Sequence, residues 1–422
     1  MRKFTLISIL AFAAAVSAQP FITVRGGQMY SGNTPYHFVG ANYWYGSYLG
    51  LERDKGRGIE RLRRELDLMK ANGVTNLRLI AGAEGSGLLN GIVRIGPPLQ
   101  PRQLEFDGAA LVGIDVILDE MSKRGMRAVI FFSNNWEWSG GWQQYLIWNN
   151  AISSKWLAQR PEWDEMRDLT AKFYDCDKCI AAYRKQVAYV LSRRNSVNGR
   201  RYVDDPTIMA WEIANEPRPM RPASNDAYVR FIAAAAKFIR RKDSRHLITT
   251  GHEGYIGTES VELFEKIHSD ANIDYLTIHI WPKNWGWFEK DKLADGFAHS
   301  LAETEKYIAE NAAVAVRLNK PLVIEEFGLP RDGGSIDPHS ATTFRDRYYA
   351  AVFAHIGRNN IAGAAFWAFG GYAVPSAEHP FWRKGDELTG DPPMEEQGLN
   401  SVFAGDTSTL NVIRTAAERL QK

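Results

Sequence analysis

Trp211-Glu212-Ile213-Ala214-Asn215-Glu216-Pro217 decides how the rest of this chain is read. The run is apolar and β-rich until it meets Asn215 and Glu216, and Pro217 then ends it. Val323-Ile324-Glu325-Glu326-Phe327-Gly328, far downstream, stops in the same way on carboxylates before a glycine. A carboxylate at the C-terminal end of a buried strand is a costly structural choice, because an uncompensated buried charge is expensive. One such end is as easily a salt-bridged strand terminus as a functional group. Two of them, one directly preceded by Asn, point to paired carboxylates facing one bond, the arrangement that cleaves glycosidic linkages.

Outward from these runs the chain alternates strand-like and helix-like segments. Strand patterns cover residues 37–44, 75–81, 127–133, 207–214, 247–251, 274–280, 321–326 and 361–369. Amphipathic helical patterns cover 58–72, 110–124, 178–193, 226–241, 301–318, 343–356 and 409–420. The strands are mostly continuous apolar runs, which suits a parallel sheet covered on both faces. Eight strands alternating with helices in one domain predict an α/β fold, a single (β/α)8 TIM barrel. Long segments at 82–104, 134–169 and 370–406 all follow strands, so all belong on the C-terminal face, where barrel active sites are built.

Bulk properties narrow the function classes. The 422 residues carry a formal net charge of +2 and no Lys/Arg-rich block, which argues against nucleic acid or an anionic membrane surface as partner. Arg61-Leu62-Arg63-Arg64 sits on a helical pattern interleaved with acids and reads as a solvated face. Thirteen Trp residues are present, several in polar loops where flat rings can stack on sugars. Arg2 and Lys3 precede an apolar run that ends in Val16-Ser17-Ala18, the form of an export signal cleaved before Gln19. That run is too short for a membrane span, so residues 1–18 read as a leader, 19–422 as the catalytic domain, and the mature protein as secreted or periplasmic. Cys176 and Cys179, spaced C-x-x-C, read first as a local disulfide at a helix start and second as two free thiols. No His/Asp/Glu cluster has metal-ligand spacing, so neither a metal nor a cofactor is expected.

In the barrel layout Glu216 ends strand four and Glu326 ends strand seven, across the mouth from each other. A separation of about 5 Å makes one a nucleophile and the other an acid/base, with retention of configuration. Arg78, ending strand two, supplies the cation a nucleophilic carboxylate needs. Glu325, next to the nucleophile candidate, is expected on the other side of its strand by simple alternation. His279 is expected as a partner of the acid/base proton, its alternative being a satisfied core histidine. Trp367 is expected as a platform under the sugar ring, with core filling as its alternative, and Trp44 and Trp136 follow as further stacking candidates.

Residues 211–217 and 325–328, together with His279-Ile280-Trp281-Pro282, Gly251-His252-Glu253-Gly254, Asn134-Asn135-Trp136 and Trp367, resemble glycoside hydrolase family 5, within it the β-mannanases and β-mannosidases. The resemblance covers nearly the whole mature chain. It implies Glu216 as acid/base and Glu326 as nucleophile. It implies a substrate-binding set of Arg78, Asn135, Trp136, Asn215, Glu253, His279, Trp281 and Trp367, with Asn215 on the 2-hydroxyl of the cleaved sugar. The partner it implies is mannan or mannooligosaccharide. Trp281 departs from the family's usual Tyr, and an indole N–H donates one hydrogen bond but accepts none. Leu79-Ile80 stands where plant endo-mannanases carry an aromatic.

The segment 390–398 and its prelude His379-Pro380-Phe381-Trp382 look more like the exo-acting branch, in which a long strand-eight loop walls off one end of the cleft. The expectation is therefore exo action, with endo-β-1,4-mannanase as the alternative, then a β-1,4-glucanase on the same barrel, then a non-catalytic glycan-binding protein. Oligomeric state stays open.

Overall fold

A computed structural model describes residues 19–51 and 56–421. The expected export leader lies outside the described residues. Eight parallel strands form the barrel: β1 (Phe38–Asn42), β2 (Val74–Ile80), β3 (Arg127–Phe131), β4 (Ile208–Glu212), β5 (Leu247–Thr249), β6 (Leu276–Ile280), β7 (Leu322–Phe327) and β8 (Ile361–Phe366). The ladder order is β5-β4-β3-β2-β1-β8-β7-β6. The seam between β5 and β6 is closed by backbone bonds, Asp274 N–H to the Ile248 carbonyl at 2.8 Å and His279 N–H to the Glu253 carbonyl at 2.8 Å. All eight expected strands are present, each within a few residues of its predicted span.

The outer ring is α1 (Arg57–Ala71), α2 (Val112–Lys123), α3 (Asp177–Leu191), α4 (Asn225–Lys242), α5 (Val261–His268), α6 (Leu293–Leu318), α7 (Thr343–Phe353) and α8 (Thr407–Arg419). The sequence pattern misses α5, a short helix capped by the Ser260 hydroxyl, and starts α6 late because its first turns carry Gly296 and Ser300. Cys176 and Cys179 are joined in a disulfide where α3 begins.

One large apolar cluster fills the space between strands and helices. A smaller one, including Ile22, Met29, Phe38, Val129 and Met209, packs the opening residues of the barrel strands against an N-terminal hairpin, Ile22–Arg25 paired with Gln28–Ser31. That hairpin is absent from the sequence expectation, since four-residue strands leave little alternation to read. At the other end, the long segments carry structure of their own. Helices Gly141–Trp148 and Trp163–Ala171 lie in the segment after β3, and Phe369–Gly371 pairs with Val402–Phe403 in the segment after β8. Among the described residues no helix is long and apolar enough to cross a membrane.

Candidate active site

Strand ends bring the expected residues together. Glu326 lies within β7, and Glu216 follows β4 after a three-residue extension tied to both neighbouring strands. Asn215 N–H bonds the Ser133 carbonyl at 2.8 Å, and Glu216 N–H bonds the Gly251 carbonyl at 2.9 Å. Glu216 is held there at φ +50°, a left-handed conformation that a residue with a Cβ rarely adopts. Carboxylate oxygens of Glu216 and Glu326 and a ring nitrogen of His279 all lie within 4.8 Å of one another. Two carboxyls with oxygens this close can face a single bond between them.

Arg78 organises the floor. Its Nη1 donates to Glu326 Oε1 and to Asn42 Oδ1 at 3.2 Å. Its Nη2 donates to Glu212 Oε1 at 2.5 Å and Asn215 Oδ1 at 2.7 Å, and its Nε to Glu212 Oε2 at 2.9 Å. Glu326 takes a second bond from Trp281 Nε1 at 3.2 Å, so the indole that departs from the family's Tyr serves as a donor. Glu216 is held differently: Trp136 Nε1 donates to its Oε2, and His279 Nδ1 lies 2.7 Å from its Oε1.

Burial pushes both carboxyls above the ordinary range; Arg78 pulls Glu326 back, while Arg218 and the Trp136 N–H pull on Glu216. Two carboxyls this close share one proton through the first ionisation. Of the two, Glu326 is the one bonded to a guanidinium, a contact that favours its ionised form. Burial, reinforced by Arg78, holds His279 well below its usual value and therefore neutral.

Glu325 corrects an expectation. Alternation places its side chain away from Glu326, yet its Oε2 lies 3.6 Å from Arg78 Nε and 3.7 Å from His279 Nε2, in the same interior. The register explains it. Ile278 pairs with Ile324 and His279 with Glu326, so Glu325 is the extra residue of a β-bulge. A bulge sets two residues opposite one and breaks the strict alternation of the strand.

The remaining candidates divide. Trp136, Asn215, Glu253, Trp281 and Trp367 line a cavity of about 760 Å³ that also contains Glu216 and Glu326. The Trp367 Nε1 is buried without a partner, and the peptide after it is cis. Asn135 is not on the wall; it sits behind it, its Oδ1 accepting from the Arg218 N–H at 3.5 Å. Asn134 holds the local geometry instead, its Oδ1 accepting from Asn215 Nδ2 and the Trp136 N–H, both at 3.0 Å. Trp44 is core: it is fully buried and donates Nε1–H to the Gly390 carbonyl at 2.8 Å.

Sequence reasoning missed Arg218, whose Nε and Nη2 grip both oxygens of Glu253, the latter at 2.5 Å. Its position directly after Glu216-Pro217 was the available signal. Also missed on the cavity wall are Trp163 and Lys283, from the loops after β3 and β6, whereas Phe381 and Glu395 come from the segment after β8 that the sequence placed there.

Glu216, His279 and Glu326 have the spacing that could take a metal ion, yet each is already committed to this hydrogen-bond network, and an ion there would occupy the place of the bond to be cut. A second cleft of about 750 Å³ lies at the starts of α7 and α8. Its carboxylates, Asp346 and Asp406, are taken up by Thr409 and Arg331.

The family model described as GH family 5 beta-mannosidase-like matches residues 19–422. The chain belongs to this family. It is a glycoside hydrolase. Mannan endo-1,4-beta-mannosidase 1 of Oryza sativa subsp. japonica is 26% identical over 415 residues, covering 95% of this chain and 86% of its own length. The crystal structure of the glycoside hydrolase family 5 mannosidase from Rhizomucor miehei superimposes with a TM-score of 0.85 at 31% identity, covering 95% of this chain and 97% of that one. The endo-1,4-beta-mannanase from Rhizomucor miehei shares the fold, with a TM-score of 0.69 at 23% identity over 95% of this chain and 99% of that one.

Proposed function

We propose that this family 5 member is a retaining hydrolase of β-1,4-mannosidic bonds, with Glu326 as nucleophile and Glu216 as acid/base. The observation that carries the reading is the carboxyl pair within 4.8 Å, with the guanidinium on Glu326 alone. In the first step Glu326 attacks the anomeric carbon while Glu216 gives its proton to the leaving oxygen; in the second, Glu216 as base activates water against the glycosyl–Glu326 ester. Trp136 Nε1–H stabilises the carboxylate that Glu216 becomes between the steps. Mannan as substrate rests on the mannosidase and mannanase relatives. Residues 19–422 are proposed as one catalytic domain, and 1–18 as its export leader.

We favour exo action. Phe381, Met394, Glu395 and Glu396 bring the segment after β8 onto the wall of the cavity that holds both carboxyls. That segment is braced. Trp44 holds Gly390, Asp391 accepts the N–H groups of Gly398, Asn400 and Ser401, and Lys290 Nζ bonds Glu396 at 2.6 Å from the loop after β6. A wall tied to the loops after β1 and β6 and braced within itself does not swing aside for a polymer. The plant relatives named as endo-mannosidases support the second reading, an open cleft. Product analysis on mannohexaose separates them: mannose as the first product, released in the β form, supports exo-acting retention. Early mannobiose and mannotriose with rapid loss of mannan viscosity would overturn it. Replacing residues 379–383 by a short Gly/Ser turn should raise activity on polymeric mannan and lengthen the products.

A further inference from the structure

The floor of the cavity holds more carboxyls than its cation can serve. Glu212, Glu216, Glu325 and Glu326 converge there, and Arg78 is the one guanidinium among them. Arginine has five N–H donors. Those of Arg78 are all committed: Nε and one of Nη2 to Glu212, the other of Nη2 to Asn215, and both of Nη1 to Glu326 and Asn42. Nothing is left for Glu325. Both its oxygens are buried and without a donor among the described residues, and His279 Nε2, at 3.7 Å, is too far to supply one.

An ionised carboxylate only accepts hydrogen bonds, so in this position it would be an uncompensated buried charge. A protonated one has a partner at once. Glu212 stands beside it and is fixed as the anion by the two-pronged bond to Arg78. We propose that Glu325 works as a neutral carboxylic acid, donating its O–H to the Glu212 carboxylate, and that it is a positioning residue which leaves the Arg78 fork free for Glu326.

The groups facing it agree. Arg78 comes from β2, Glu212 from β4, Tyr275 from just before β6, neutral His279 from β6, and Glu326 from its own strand. Burial first, then the Glu212 charge, drive the Glu325 carboxyl well up, with Arg78 opposing. With protons on Glu216 and Glu325, the floor carries two anions against one cation. Ionising Glu325 adds a third anion that competes for the Arg78 Nε, the donor aligned on Glu212, and turns the guanidinium away from the nucleophile.

The proposal rests on Glu326 and Glu216 as the catalytic pair, an assignment that fails separately, through near-normal activity of Glu326→Ala. Its own test is Glu325→Gln, whose amide N–H replaces the O–H to Glu212 without a charge. The expected result is kcat/KM within about threefold of the parent and both limbs of the pH profile unmoved. Infrared difference spectra between parent and variant should show loss of one protonated-carboxyl stretch. A downward move of the alkaline limb in Glu325→Gln would mean that a negative charge beside Glu216 had been removed, and overturns the proposal. So does the reverse pattern, with Glu212→Gln benign and Glu325→Gln crippled, because the proton then sits on Glu212. If Glu325→Gln does not fold, neutron diffraction on the parent enzyme decides: a deuteron on a Glu325 oxygen facing Glu212 supports the assignment, and its absence ends it.

Discussion

The floor of the cavity and its rim are held by different physics. The floor residues stand on or just past barrel strands and are almost fully buried; Glu212, Asn215 and Glu326 are fixed by charge-assisted bonds that converge on Arg78, and Glu216 by Trp136 and His279. The rim is made of loops with a small apolar cluster of their own. Leu89 after β2, Trp156 and Met166 after β3 pack together, with Trp136 and Met394 against them. The lesson is a division of labour. The carboxyl and guanidinium geometry is anchored on the barrel strands, while the rim comes from loops that root in the main core and pack part of their length on a separate cluster.

The largest effects should come from breaking the floor. Glu326→Ala and Glu216→Ala should each lower kcat by orders of magnitude, at least about 10²-fold for Glu216, while circular dichroism stays native. Azide should partly restore Glu326→Ala and give product of inverted configuration, since a small anion can enter the vacated side. Near-normal activity in either variant removes the floor from the mechanism.

Next in size is the organiser. Arg78→Lys should lower kcat/KM by about 10²-fold, because one ammonium cannot reproduce bonds to Glu212, Asn215 and Glu326 together. A mild loss would show that floor and rim are less distinct than their packing suggests.

A subtler change sharpens the comparison where rim meets floor. Trp136 belongs to the segment after β3, but its N–H favours the ionised form of Glu216. Trp136→Phe removes that bond, so the Glu216 carboxyl should rise further and the alkaline limb of kcat/KM should move to higher pH. An unmoved or lowered limb would mean that another group sets that limb.

The smallest effect is expected far from both regions. Cys176 and Cys179 close a loop of only three residues' separation, so the double Ser variant should lose at most about 2 kcal/mol of stability in denaturant melts and keep full activity.

How much of this was legible in the sequence follows the same division. The barrel strands were readable because strands buried on both faces must be nearly continuous apolar runs, and Glu216, Glu326 and Arg78 were readable as charges that end them. Glu325 was misread because period-two alternation assumes an unbroken ladder, and a bulge leaves no mark in Glu-Glu-Phe-Gly. The separate contacts of Asn134 and Asn135 were unreadable for a related reason: in a loop no periodicity tells which of two adjacent amides holds which neighbour. Arg218 and Trp163 were out of reach because they meet only when loops from different strands fold over one cavity.

The left-handed backbone at Glu216 has a consequence for the economy of the fold. A side chain at φ +50° strains the chain by about 1 kcal/mol, a cost glycine does not bear. The molecule therefore keeps a less stable residue at the point where it needs a proton. Selection for thermal robustness alone should drift toward Gly or Asn at this position and toward an inert protein. A melting temperature for Glu216→Gly above that of Glu216→Ala would register that conflict between endurance and turnover directly.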